Sequence, residues 1–404
     1  MTASVPLVSP KPSIVASAKT RILSIDLLRG LVMLIMAIDH LRDLLHLGHP
    51  DPTDLQTTTP FLFFTRWITH FCAPTFVFLS GISAFLAGRR RTTDQLAGFL
   101  IKRGFWLIFI EVFIINFITG ADPFYHVIVL QVIWAIGASM ILLGLLVWAK
   151  VGPKGIGGIG LIIFLGHNVI DLLHNQIVNT NLVWRLFLSA RGFNAAIPIG
   201  QDRSLIVAYA LLPWTGVMLV GYALGTLYTK EAVKRKQALT AIALLLLSIF
   251  VIFRAFNIYG DPAPWSIQKN TMLSVISFLN VTKYPCSLMY LCMTLGIALL
   301  LLAKTETAGN RLARIFIVYG NAPFFYYICH WILAQMITII LFFSMGHQIG
   351  EAYKSSFPFS PNNFGLPLEG IFAVWLLLIT LLYFPCRWFG QYKKTHGQWW
   401  LSYL

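Results

Sequence analysis

The chain has 404 residues, 57% of them hydrophobic and only 11% charged, with a formal net charge of +15. A soluble domain carries roughly 25% charged residues, so this composition excludes a water-soluble globule, and a mean hydropathy of +0.74 agrees. The basic excess does not indicate nucleic acid, because Lys and Arg stand in short clusters between apolar segments, the pattern of membrane-protein loops.

The first twenty residues hold no long apolar run, so no cleavable signal peptide is expected and the first span would act as an uncleaved anchor. A spanning helix needs roughly 20 mostly apolar residues. Such stretches fall at about 23–45, 61–87, 95–119, 125–149, 155–173, 204–228, 237–256, 282–303, 316–343 and 367–389. They predict an all-α, polytopic membrane helix bundle of about ten transmembrane helices over residues 21–390, between tails at 1–20 and 391–404. Pro74, Pro213 and Pro285 inside these stretches are compatible with membrane helices.

Orientation is read from alternate loops. One set carries Lys11, Lys19 and Arg21, then Arg89, Arg90 and Arg91, then Lys150 and Lys154. It continues with Lys230, Lys234, Arg235 and Lys236, then Lys304, Arg311 and Arg314, and ends with Arg387, Lys393 and Lys394. The other set has no Lys or Arg around Asp51, Asp54 or Asp122; Arg185, Arg191 and Arg203 are its exception. The bias places both termini in the cytoplasm, and the expected location is a bacterial cytoplasmic (inner) membrane. The external loops at about 174–203, 257–281 and 344–366 are long enough to cover a site. Cys72, Cys286, Cys292, Cys329 and Cys386 show no metal-ligand spacing and read as free buried thiols; no metal is expected.

Ionisable side chains inside a span are costly, which makes each a functional candidate. At 100° per residue, Asp26, Arg29, Met33, Met36, His40 and Asp43 share one face of the first span, predicting the wall of a polar cavity. Asp39 and Asp43 flank His40, and a carboxylate there would orient the imidazole as a general base. His70 stands four residues after Arg66 and four before Pro74, whose missing N–H frees the His70 carbonyl. Glu111, Gln131, His167 with Asp171, Arg254 and Lys283 come out at a similar depth in the outer half of the bilayer. That common level predicts one cavity, with Arg254 or Lys283 stabilising an oxyanion or holding an acidic acceptor. His330, alone and nearer the middle, reads as structural. His46, His49 and Asp51 form only a weak metal pattern.

The segment RILSIDLLRGLVMLIMAIDH, Arg21 to His40, resembles the opening span of the transmembrane acyltransferase superfamily. RWITHFCAPTFVFLSG, LQVIWAIGAS, LLPWTGVMLVGYALG, SFLNVTKYPCSLMYLCMTLG, YGNAPFFYYICHWIL and the C-terminal WWLSYL resemble its branch of bacterial relatives of heparan-α-glucosaminide N-acetyltransferase. The resemblance implies acyl transfer from cytoplasmic acyl-CoA, acetyl-CoA being the simplest donor, to an extracytoplasmic glycan or amino-sugar acceptor. It also implies that Arg29 and His40 match an arginine and a histidine required in the superfamily, eleven residues apart. In the lysosomal enzyme the catalytic histidine lies in the first luminal loop and an acid stands where His70 does. The catalytic histidine therefore stays open between His40, His70 and the loop residues His46 and His49. Arg29, nearer the cytoplasm, would bind the anionic part of the donor, and Arg66, beside His70, is a further donor- or substrate-binding candidate. The partners implied are the bilayer, acyl-CoA and the acceptor, with no nucleic acid; a homodimer stays open. The other function class that fits polar groups in a bundle is a transporter or flippase, though the two halves show no paired broken helices.

Overall fold

A computed structural model describes residues 22–172, 182–188, 196–306, 308–354 and 357–402. The N-terminal tail, with Lys11, Lys19 and Arg21, and residues 174–181 and 189–195 of the loop at 174–203, with Arg191, lie outside the described residues. The fold is helical almost throughout. Its helices are α1 (Leu23–Leu45), α2 (Pro60–Thr69), α3 (Cys72–Gly88), α4 (Thr93–Phe109), α5 (Asn116–Gly120), α6 (Val132–Trp148), α7 (Pro153–Gly166) and α8 (Leu182–Phe187). Then come α9 (Leu211–Leu224), α10 (Ala232–Ala255), α11 (Thr271–Leu279), α12 (Leu288–Lys304), α13 (Arg311–Gly320), α14 (Pro323–Ser344) and α15 (Leu368–Thr395).

Among the described residues, five helical segments are long and apolar enough to cross a membrane: Pro60–Gly88, Leu211–Thr229, α10, α14 and α15. α6 and α12 are apolar but shorter. Large apolar side chains face outward along them, such as Leu245, Ile340 and Phe384 at 59%, 63% and 68% exposure. Faces like these suit hydrocarbon rather than water, and the chain is a membrane protein.

Two departures from an all-α reading concern where helices begin. The apolar runs at 127–130 and 204–207 are strands, β1 (Val127–Leu130) and β3 (Ser204–Val207), joined by β2 (Ala196–Pro198). The order is β1-β3-β2, with β1 parallel and β2 antiparallel to β3, and Val127 opposite Ser204. VIVL and SLIV are short and rich in β-branched residues, so they extend rather than coil. The stretch expected from 282 likewise turns helical only at Leu288, where Ser287 caps α12 by accepting the Tyr290 N–H.

Local chemistry sets the other breaks. Thr59 caps α2 and Thr92 with Gln95 forms a capping box at α4. The helix breaks at His70 and Phe71, one turn before Pro74, and the freed His70 carbonyl accepts the Tyr290 hydroxyl at 2.8 Å. A π-helical segment, Ile110–Ile115, joins α4 to α5 and carries Glu111.

α1 is the hub, packed against α2, α3, α12, α13, α14 and α15. Its contact with α13 is backbone to backbone. A Cβ on Gly30 would fall 1.8 Å from the Phe316 carbonyl oxygen, and one on Gly320 would fall 1.8 Å from that of Asp26. Small residues allow such approach between membrane helices. Gly320→Ala is expected to push α13 off α1 and destabilise the protein by about 1–3 kcal/mol. Gly158→Ala, with open space around it, is the control. Thermal unfolding in detergent separates the two; equal midpoints would contradict the close-packing account.

Candidate active site

Helix periodicity and the α2–α3 break bring α1, α2, α3, α6 and α14, with Tyr209 before α9 and Lys283 before α12, around one cavity. It holds about 390 Å³ of empty space, part of it open to solvent. Of the sequence candidates, Asp39, His40, Gln131 and Lys283 line it, with Met36 from the predicted stripe. Thr69, Cys72, Tyr209 and Tyr327 complete the polar part of the wall; sequence reasoning did not single them out.

His40 is held from α14. Its Nδ1 lies 2.7 Å from His330 Nε2, and its ring stacks on Trp331 with centroids 4.1 Å apart and planes at 18°. The tautomer follows from the partners. His330 Nδ1 lies 3.2 Å from the Tyr326 carbonyl, which can only accept, so that nitrogen carries the proton. His330 Nε2 is then a lone pair and accepts from His40 Nδ1–H. His40 Nε2 is left unprotonated, and no described residue hydrogen-bonds to it. The expectation that Asp39 or Asp43 orients His40 is corrected. Both carboxylates turn to arginines, and His330, expected to be structural, holds the ring instead. The CHW triplet in YGNAPFFYYICHWIL was the available signal.

Asp39 is the centre of a buried charge cluster. Its Oδ1 accepts from Arg42 Nη2 at 2.5 Å and from Thr69 Oγ1 at 3.0 Å; its Oδ2 accepts from Arg66 Nη1 at 2.5 Å. Lys283 Nζ approaches Oδ2 to 4.0 Å. Arg42 also donates to Asp43 Oδ1 at 2.8 Å. Arg66 therefore buttresses the cavity through Asp39.

The remaining candidates divide. Glu111 is fully buried; one carboxyl oxygen accepts the Gln131 N–H at 2.8 Å and the other has no partner. His70 is 2% exposed, its Nδ1 has no hydrogen-bond partner among the described residues, and it is not among the residues that line the cavity. Arg29 sits eleven residues from His40, ~16 Å along the axis at 1.5 Å per residue. It pairs with Asp26 at 3.1 Å, donates to Ser83 Oγ at 3.0 Å, and reaches the Gly320 carbonyl at 3.5 Å.

His167 and Arg254 do not reach the cavity, and the single-cavity expectation is corrected for both. Arg254 donates to the carbonyls of Ala263, Ser277, Phe278 and Asn280, capping the C-terminal end of α11. Four of its five N–H donors go to these carbonyls, and the Asp261 carboxylate lies 3.8 Å from Nη1, so its charge is answered within this region rather than in the cavity. His167 Nε2 lies 2.9 Å from the Cys286 carbonyl, and Asn168 accepts the Leu288 N–H at 2.7 Å. Asp261 accepts from Thr282 and Ser287. Together they pin the 282–288 segment that presents Lys283. Asp171, the expected partner of His167, lies outside the residues whose side chains are described. His49 Nε2 lies 2.9 Å from the Ser360 carbonyl, and no metal-type cluster occurs among the described residues.

A cavity with a tautomer-fixed histidine and a lysine beside it can take a proton and stabilise negative charge, the needs of acyl transfer. The family profile described as heparan-alpha-glucosaminide N-acetyltransferase, catalytic, matches residues 21–258. That stretch holds Arg29, Asp39, His40, Arg66 and Gln131, while Lys283 and His330 come from beyond it. A search of curated proteins found no relative of significant similarity. The chain belongs to the heparan-alpha-glucosaminide N-acetyltransferase catalytic family and is a membrane acyltransferase.

Proposed function

We propose that the protein transfers an acetyl or related acyl group from cytoplasmic acyl-CoA to a glycan or amino-sugar acceptor outside a bacterial cytoplasmic membrane. The observation that carries this reading is His40 Nε2, to which no described residue hydrogen-bonds, on the wall of the cavity, with its tautomer set by His330. Ten passes and two cytoplasmic termini are part of the proposal. Helices α1, α2–α3, α4–α5, α6, α7, α9, α10, α12, α14 and α15 supply that number, and the basic loops favour that orientation.

In this mechanism the acceptor's amine or hydroxyl attacks the thioester carbonyl while His40 Nε2 takes its proton. Lys283, on the same cavity wall, supplies positive charge to the site. The C–S bond breaks, the CoA thiolate leaves, and it recovers the proton from His40. Arg29, nearer the cytoplasmic end of α1, binds the anionic part of the donor. Acetyl-CoA titrated calorimetrically into wild type and Arg29→Ala tests the donor. Saturable binding weakened about tenfold or more by loss of a charge-assisted contact is expected. If neither acetyl-CoA nor a longer acyl-CoA binds wild type, the acyltransferase mechanism proposed here is wrong and a transport role takes its place.

A further inference from the structure

We propose that the cavity recognises an anionic group on the acyl acceptor, held by Lys283, so that the preferred acceptor is an acidic sugar rather than a neutral one. The proposal rests on the acyltransferase reading above and narrows it.

Three cations, Arg42, Arg66 and Lys283, surround two carboxylates, Asp39 and Asp43. Among the described residues no further carboxylate lies within 4 Å of any of them. Each arginine has a carboxylate at hydrogen-bond distance: Arg42 has Asp43 at 2.8 Å and Arg66 has Asp39 at 2.5 Å. Lys283 has none of its own. Its nearest carboxylate oxygen, Asp39 Oδ2 at 4.0 Å, already accepts from Arg66, and its Nζ makes no hydrogen bond to a described residue. The ammonium instead stands 5.1 Å over the Tyr284 ring.

The Lys283 side chain is only 9% exposed, and its opening is onto the cavity that holds His40. A buried cation in surplus is unfavourable until an anion joins it. The protein maintains it there at some effort, since His167, Asn168 and Asp261 fix the segment on either side of it. A carboxylate or phosphate next to the nucleophilic group would neutralise Lys283 while the nucleophile meets His40. The donor's phosphates belong at Arg29, so the other source of an anion is a dicarboxylic acyl group on the donor.

The test is binding to full-length protein in detergent, using glucosamine, glucosamine 6-phosphate, muramic acid, acetyl-CoA and succinyl-CoA on wild type, Lys283→Met and Lys283→Arg. The two anionic sugars should bind about tenfold or more tighter than glucosamine in wild type, as a charge-assisted hydrogen bond gives. Lys283→Met should lose that preference and Lys283→Arg should keep it. Lys283→Met should also unfold no earlier than wild type, because it removes the surplus charge. Equal binding of neutral and anionic sugars, binding of none, or a preference that survives Lys283→Met would overturn the proposal. A Lys283-dependent preference for succinyl-CoA would overturn it by moving the anion to the donor. Acetyl-CoA binding by the same samples shows separately whether the acyltransferase reading stands.

Discussion

His330→Ala is expected to lower kcat for acyl transfer by roughly 10²-fold, the scale of a misplaced general base, with little change in KM for acetyl-CoA. Without the acceptor at His330 Nε2, nothing keeps the proton on His40 Nδ1, and the basic nitrogen no longer points reliably at the acceptor. The replacement that distinguishes this from lost packing is His330→Gln. Its amide oxygen can accept the same hydrogen bond, so it should recover much of the rate. His330→Arg has only donors and should not. Steady-state kinetics of the three variants decide the matter. Equal losses in Gln and Arg would mean that His330 only fills space.

Asp39→Ala should have the largest effect on stability. The carboxylate is 10% exposed and answers Arg42, Arg66 and Thr69 directly, with Lys283 close by. Its removal strands buried cations that were already in excess, and breaking such a pair costs about 3–5 kcal/mol. Asp43→Ala is the contrast. Its side chain is 34% exposed and, among the described residues, pairs with Arg42 alone, so its loss should cost about 1 kcal/mol or less. Thermal unfolding of the two variants in the same detergent should show Asp39→Ala falling far below Asp43→Ala. Similar midpoints would remove Asp39 from the centre of the cluster.

Much of this architecture was legible because membrane helices announce themselves by length and apolarity. The break at His70 followed from Pro74, and its rescue by a hydroxyl was the accounting that freed carbonyl required. The beginnings of three segments were not legible. VIVL, SLIV and the turn before Leu288 are apolar, and hydropathy cannot distinguish a short buried strand from the end of a helix.

Around the cavity, Met36 and His40 were nominated by the helical face of α1, and Lys283 by its cost in an apolar segment; all three line the cavity wall. The partners of these residues were a different matter. His40 is flanked in sequence by carboxylates, yet its hydrogen bond goes to a residue on α14, a contact made only by tertiary packing. Arg254 looked like a substrate ligand for the same reason as Lys283. Backbone carbonyls, which carry no sequence signature, absorb it instead.

The most direct test of the whole account is transfer of labelled acetyl from acetyl-CoA to an amino-sugar acceptor in proteoliposomes, with wild type and His40→Ala side by side. The account predicts labelled acceptor with wild type, about 10²- to 10⁴-fold slower labelling with His40→Ala, and unchanged acetyl-CoA binding in both. Full transfer by His40→Ala would contradict it.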